Sequence, residues 1–259
     1  MTAAGPLDLR GRDVRLLVGV RDPSGNVARD ARLRKLTGHE EELLYDPTLS
    51  AGRLITELLR RCVTALGDLP TPLAPELVWQ LTVADRDLLL VELRRHSLGD
   101  RLRALYTCPS CGAEVAVDED LAQIPTREAG EHLQVTVRLV DGYLDRSGVL
   151  HDEVVLRAPT GEDQDQVLRM TGHDPLRARD ALLLRCIVRF GKLRRAELEG
   201  LGLKLLRDLT LGDRRAIFQA MEEQLPGVDF RRRARCGACG GRFETVLDAT
   251  DFFGPGQAA

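Results

Sequence analysis

The stretches Cys108-Pro109-Ser110-Cys111-Gly112 and Cys236-Gly237-Ala238-Cys239-Gly240 decide how this chain folds. Each is a CxxC pair followed by glycine, a spacing that brings two thiolates to one metal ion from a tight turn. Two thiolates fill only half of the tetrahedral shell that zinc prefers. The stretches begin 128 residues apart (236 − 108), far beyond the roughly 15–20 residues of a compact zinc ribbon. A folded unit must therefore lie between them, and a shared ion would join distant parts of the chain.

The sequence upstream of these stretches repeats. Leu81-Thr82-Val83-Ala84-Asp85-Arg86 precedes the first CxxC pair and Leu209-Thr210-Leu211-Gly212-Asp213-Arg214 precedes the second, with 23 residues from Asp to cysteine in both copies (108 − 85 and 236 − 213). Further upstream, residues 33–38 match 156–161 and residues 58–63 match 182–187. The offsets are 123 (160 − 37), 124 (186 − 62) and 128 (213 − 85). This order predicts a tandem duplication with a small insertion before the last landmarks.

The patterns predict an α+β fold in which a unit of a β-hairpin plus helices occurs twice, each copy ending in a zinc-knuckle hairpin. We expect a flexible leader over 1–13, repeat 1 over 14–125, repeat 2 over 126–253 and a flexible tail over 254–259. The two halves are expected to be related by a pseudo-twofold axis. They would be joined at a shared zinc ribbon with four cysteine ligands.

Local patterns place the elements within each repeat. Hairpins are predicted around the turns at 22–26 and 142–148, because strand-like residues flank both. Apolar residues three and four apart predict a helix over 51–66. Helix starts are predicted at Thr37 and Thr160, each before acidic residues, and at Thr82 with Asp85 and Thr210 with Asp213, which resemble capping boxes.

The remaining cysteines and the histidines give no second site. Cys62 and Cys186 lie on apolar helix faces, where a single cysteine is expected to pack as a small hydrophobe, although a reactive or ligating thiol stays the alternative. The five histidines are expected at the surface: His39, His96, His132, His151 and His173. Phosphate-binding, dinucleotide, metalloprotease and serine-hydrolase motifs are all missing from the sequence. We therefore expect no enzyme activity, no catalytic residue and no small-molecule substrate.

The amino-acid composition is typical of a globular protein. It has 259 residues, of which 43% are hydrophobic and 30% charged. No apolar run approaches the roughly 18 residues of a membrane span, and residues 1–13 lack a signal pattern, so the protein is expected in the cytoplasm. In that compartment cysteines are thiols or metal ligands. The net charge of −3 argues against a dedicated nucleic-acid surface.

Three chemistries remain for the CxxC pairs. A structural zinc held by Cys108, Cys111, Cys236 and Cys239 would be closed to substrate and water, and this is the interpretation we favour. Redox couples are the first alternative, although such motifs start a helix after a buried strand, whereas here each pair lies between predicted strands. The second alternative is a zinc-ribbon nucleic-acid or transcription module that uses the arginines of 231–235.

The order of these motifs also resembles a known family. The landmarks are Leu-Arg-x-x-Thr-Gly before acidic residues, a helix with Arg-Cys, Leu-Thr-x-x-Asp-Arg opening an apolar helix, and residues 98–102 before the first CxxC pair. Together, over roughly residues 30–250, they resemble the baseplate hub assembly chaperone family of contractile phages and phage-tail-like contractile injection systems. The resemblance implies a non-catalytic protein whose partners are baseplate, hub or spike subunits. Members need not carry these cysteines, so the zinc prediction depends on this sequence alone.

Overall fold

The computed structural model describes residues 11–22, 24–129, 133–171, 174–248 and 252–253, and it is an α+β protein with several small sheets. Most of the leader expected over 1–13 lies outside these residues, although Arg12 and Asp13 belong to the first strand. The tail expected over 254–259 lies outside them as well. Within the described residues, no helix has both the length and the apolar character needed to cross a membrane.

The chain forms two compact units, and the first contains the described residues of Met1–Val78, Asp85–Arg127 and Val228–Ala259. Strands β1 (Arg12–Arg21), β2 (Val27–Leu33) and β3 (Val63–Leu66) form an antiparallel sheet in that order. Helices α1 (Gly38–Leu44) and α2 (Ala51–Cys62) connect β2 to β3. The chain continues through α3 (Pro75–Gln80), α4 (Val83–Leu98), β4 (Arg101–Thr107), β5 (Glu114–Asp120) and the short β6 (Thr126–Arg127).

The second unit contains Trp79–Ala84 and the described residues of Glu128–Gly227. Strands β7 (Gln134–Leu144), β8 (Leu150–Arg157) and β9 (Ile187–Phe190) again form an antiparallel sheet in chain order, with α5 (Gly161–Thr171) and α6 (Pro175–Cys186) between β8 and β9. Helices α7 (Arg195–Leu201), α8 (Leu203–Asp208) and α9 (Leu211–Gln224) follow. The chain then forms β10 (Gly227–Val228), β11 (Arg231–Arg235) and β12 (Arg242–Val246), of which β11 and β12 belong to the first unit.

In the first unit a buried aspartate binds an irregular part of the first strand. The pairing of β1 with β2 shifts register between Arg15 and Val20. At this bulge the carboxylate of Asp85, at the start of α4, accepts backbone N–H groups from Val18 and Gly19 at 3.0 Å each. A bulge removes donors from the strand ladder, and buried donors need an acceptor. Asp85 supplies it and is itself 0% exposed.

The second unit has the same arrangement. Asp213, at the start of α9, accepts backbone N–H groups from Val140, Asp141 and Gly142 at 2.7–3.1 Å, where the pairing of β7 with β8 is irregular. The predicted cap is present, since the Thr210 hydroxyl accepts the Asp213 N–H at 3.3 Å. The Asp213 carboxylate, however, has a second role in addition to the predicted one at the helix start. It satisfies strand donors that are more than 70 residues away in sequence.

Each unit also pairs an arginine with a buried carboxylate at the start of the helix that follows its second strand. Arg34 donates two hydrogen bonds of 2.9 Å to Glu40, which also accepts the Thr37 N–H at 3.0 Å. Arg157 likewise donates two hydrogen bonds to Asp163, at 2.6 and 3.1 Å. Glu40 and Asp163 are 1% and 2% exposed. Burial without such partners would be costly for a carboxylate, so these forked contacts hold each helix start against its sheet.

The helix predicted over 51–66 ends early. Cys62 is its last residue, and Val63 begins β3 without an intervening loop. Cys186 and Ile187 make the same junction between α6 and β9. The β-branched residue after each cysteine favours a strand, and β3 completes the sheet beside β2. The apolar spacing over residues 51–66 does not show where the helix ends and the strand begins, because buried apolar residues continue through both elements.

The two units differ in the segment between their third strand and the aspartate-bearing helix. Cys62 and Asp85 are 23 residues apart (85 − 62), whereas Cys186 and Asp213 are 27 apart (213 − 186). The first segment contains the short helix α3, and the second contains both α7 and α8. The four additional residues account for the increase in offset from 124 to 128.

Replacing Asp213 with Asn tests the strand contact. The amide keeps one acceptor oxygen but presents an NH2 group to one of the backbone donors, so we expect the free energy of unfolding to fall by about 1–3 kcal/mol. Asp152→Asn, in β8, is the control because Asp152 makes only an exposed ion pair, and it should change stability by less than about 0.5 kcal/mol. Urea denaturation measures both. Equal effects of the two substitutions would contradict the assigned role.

Replacing Glu40 with Gln tests the first buried pair through its pH dependence. Burial raises the pKa of Glu40, but hydrogen bonds from Arg34 and Thr37 outweigh it and lower the pKa to about 2. The folded-state pKa lies below the ordinary value of 4.5, so the stabilisation is present above pH 4.5 and is lost as the pH falls toward 2. We expect Glu40→Gln to destabilise the protein by about 2 kcal/mol at pH 7 and much less near pH 2.5.

The control for this measurement is Glu41→Gln at the exposed neighbouring position. Thermal denaturation of both variants and the unsubstituted protein across this pH range gives the comparison. A stability loss from Glu40→Gln that stays constant with pH would exclude the ion pair as its cause.

Candidate metal centre

Two small hairpins carry the CxxC pairs, and both belong to the first unit. Strands β4 and β5 pair antiparallel from Arg101 opposite Asp120 to Thr107 opposite Glu114. Strands β11 and β12 pair from Arg231 opposite Val246 to Arg235 opposite Arg242. In both hairpins the cysteine-bearing turn directly follows the last pair of the ladder. Strand, CxxCG turn and returning strand were the elements predicted for each knuckle.

The two turns have matching hydrogen bonds. In the first, the Cys108 N–H donates to the Ala113 carbonyl and the Gly112 N–H donates to the Cys108 carbonyl, both at 2.9 Å. In the second turn, the Cys236 N–H donates to the Gly241 carbonyl at 2.8 Å and the Gly240 N–H donates to the Cys236 carbonyl at 2.9 Å. The glycines that close the turns have φ of +72° and +74°, a conformation that strains other residues. This explains the glycine after each CxxC pair.

The hairpins bring the four predicted ligands together. The Sγ atoms of Cys108 and Cys239 are 3.7 Å apart, and those of Cys111 and Cys236 are 3.6 Å apart. All four Sγ atoms lie within 4.8 Å of one another. A tetrahedral ion with Zn–S bonds of about 2.3 Å separates its sulfurs by about 3.8 Å, whereas a disulfide joins them at about 2.05 Å. The cluster thus has the donor set and the spacing to hold a metal ion.

The thiols differ in how readily they lose a proton. Hydrogen bonding from the backbone of Ser110 lowers the pKa of Cys108 to about 6, although burial opposes the shift. Backbone hydrogen bonds also lower the pKa of Cys236. A backbone hydrogen bond lowers the pKa of Cys111 too, but the neighbouring sulfurs outweigh it and raise that pKa to about 12. The first turn thus favours the thiolate of Cys108 over that of Cys111. Four thiolates would require a cation to balance their charge.

Little apolar packing supports the cluster. Its buried residues are Cys108, Val115 and Cys236, with Ala113, Val117 and Phe243 packed against them. Burial of so few apolar side chains contributes little to the stability of the two hairpins. A metal ion between the hairpins would therefore contribute much of what keeps them together.

A partly buried ion pair joins the hairpins at the end remote from the sulfurs. Arg232 donates to the Glu119 carboxylate at 2.9 Å, and the Tyr106 hydroxyl donates to the same carboxylate at 2.9 Å. The side chains of Arg232 and Glu119 are only 16% and 11% exposed. This contact has no signal in the sequence, because nothing in two separate charged strands indicates which of their residues meet.

The other candidate residues lie elsewhere and in different surroundings. Cys62 and Cys186 are each 0% exposed, and burial raises the pKa of both thiols to about 12. Both therefore pack as hydrophobes. His151, expected at the surface, is instead 2% exposed: its Nε2 lies 3.1 Å from Asp145, and its Nδ1 accepts the Lys192 N–H at 3.1 Å. His132 and His173 lie outside the described residues.

Comparison with known proteins identifies a family. A family model described as T4 bacteriophage base plate protein matches residues 22–254. Neither the curated proteins nor the solved structures include a match to this chain. The matched region begins just after β1 and runs past β12, so it includes the rest of the first three-stranded sheet, the whole of the second and both CxxC turns. The chain belongs to the T4 bacteriophage base plate protein family.

Proposed function

We propose that this protein is a non-catalytic assembly factor or structural component of the baseplate and central hub of a phage tail or contractile injection system. Membership of the baseplate family is the observation that carries the proposal. Its partners would be baseplate, hub or spike subunits met in the cytoplasm, where tails are put together. The motif order that resembles the hub assembly chaperones supports the same role.

The cysteine cluster serves this role as a structural zinc site. Cys108, Cys111, Cys236 and Cys239 form a four-sulfur donor set, and soft thiolates in tetrahedral array favour zinc. Such a site leaves no coordination position for water or substrate. The residues would act by holding two hairpins in one orientation, which suits a scaffold.

The scaffold itself would derive from an internal duplication. Both units have a three-stranded sheet, an arginine–carboxylate pair and an aspartate that binds a bulged first strand. A further matched pair supports the proposal: Arg86 contacts the Thr56 hydroxyl, and Arg214 binds Asp180 at the positions 128 and 124 residues later. The pseudo-twofold relation between the halves stays a prediction.

Metal analysis tests the zinc site. Protein purified without chelator should contain about one zinc per chain, and Cys108→Ser/Cys111→Ser should lose it, because one half of the donor set is gone. Cys186→Ala is the control, since Cys186 is buried and does not belong to the cluster, and it should leave the metal content unchanged. Elemental analysis and mass spectrometry of the thiols give the result. Intact disulfides at the four cysteines, with no metal, would favour redox couples and overturn the proposal.

Copurification tests the role. Tagged protein expressed with its complete gene cluster should recover hub, spike or baseplate subunits, and the Cys108→Ser/Cys111→Ser variant should recover less of them because the hairpins are no longer held together. Tagged Cys186→Ala is again the control. Recovery of no particle subunit by the unsubstituted protein would count against the assembly role.

A further inference from the structure

The outer face of the second knuckle hairpin is strongly basic. Strands β11 and β12 alternate, so that every second residue is exposed. The exposed residues of the two strands are Arg231, Arg233, Arg235, Arg242, Glu244 and Val246. This two-stranded face thus carries four positive charges and one negative charge.

Two of these arginines have acidic partners and two do not. The pairs are Arg231 with Asp229 at 2.9 Å and Arg233 with Glu244 at 3.2 Å. Arg235 and Arg242 stand directly opposite each other at the end of the ladder that adjoins the CxxC turn. Within the part of the chain that the structure describes, neither has a carboxylate partner. Like charges directly opposite in a sheet destabilise it.

The first hairpin shows that folding does not require this arrangement. The positions 128 residues earlier are Thr107 and Glu114 (235 − 128 and 242 − 128), which also stand directly opposite each other beside a CxxC turn. The same turn and ladder therefore form around an uncharged residue and an acid. The opposed arginines are particular to the second hairpin, and an anionic group beside them would offset their mutual repulsion.

We infer that Arg235 and Arg242 dock an acidic segment of a partner protein, one with two or more neighbouring aspartates or glutamates. Guanidinium groups bind carboxylates through two parallel hydrogen bonds, and a carboxylate between the pair would relieve their repulsion. The inference rests on the proposed function, because it names the surface through which the scaffold engages a partner.

The surroundings favour a protein segment over nucleic acid. The chain carries a net charge of −3, and the basic face is confined to one hairpin of five-residue strands. Its outer face includes Glu244 and the 62% exposed Val246 but no exposed aromatic residue. Nucleic-acid binders combine longer basic tracks with aromatic platforms for stacking. Val246 lies opposite Arg231, at the far end of the ladder from Arg235 and Arg242. The same face therefore also offers an apolar contact to a peptide that has both acidic and apolar side chains.

The test uses the full chain loaded with zinc and a fluorescein-labelled peptide of about 12 glutamate and leucine residues, with binding followed by fluorescence anisotropy at low salt. Arg242→Glu is the diagnostic variant, because it turns the opposed arginines into an ion pair with Arg235. We expect it to weaken peptide binding by about tenfold or more.

Arg103→Glu is the matched control. Arg103 is exposed on β4 of the first hairpin, and its substitution changes the net charge by the same amount, so it should leave peptide binding nearly unchanged. Equal weakening by both variants would show non-specific attraction and overturn the inference. So would the absence of peptide binding at about 1 mM chain, or tighter binding of a single-stranded DNA of about the same length that Arg242→Glu abolishes. None of these outcomes bears on whether the unsubstituted protein copurifies with particle subunits.

Discussion

Four sulfur atoms within 4.8 Å of one another are the constraint on which the account of this protein depends. They come from turns that are 128 residues apart in sequence (236 − 108), and few apolar side chains pack around them. Mutual repulsion among thiolates opposes the arrangement unless a cation balances their charge. The ion pair between Arg232 and Glu119 aligns the strands, but it lies away from the sulfurs. A metal ion between the four sulfurs would offset that repulsion.

The rest of the first unit and all of the second follow a common design in which buried carboxylates accept backbone donors. Asp85 and Asp213 bind bulged strands, while Glu40 and Asp163 are held by arginines at helix starts. In each case a carboxylate near a helix N-terminus accepts hydrogen bonds from donors that would otherwise have no partner. Each unit thus satisfies its buried carboxylates with donors of its own.

Several features could be predicted from the sequence because they have local signatures. The CxxCG turns follow from the need of thiolate pairs for a tight turn, and the helix starts at Thr37 and Thr160 follow from capping chemistry. Comparison of the chain with itself also placed the four cysteines in matched contexts, and the structure brings their sulfurs together. That these four cysteines hold zinc is a proposal.

Other features could not be predicted because they depend on contacts between distant residues. The apolar spacing over 51–66 predicts one helix, but the chain becomes a strand at Val63 because residues 63–66 pair with β2. His151 lies in a polar stretch of the sequence, yet it is buried through contacts with Asp145 and the backbone of Lys192. The second role of Asp85 required knowledge of where the β1 bulge lies. No periodicity or motif records such pairings.

X-ray absorption spectroscopy at the zinc edge, on protein purified without chelator, tests the central claim most directly. The account predicts four sulfur atoms at about 2.3 Å from zinc and no nitrogen or oxygen ligand. A first shell with fewer than four sulfurs, or protein that binds no zinc while its thiols are reduced, would contradict it.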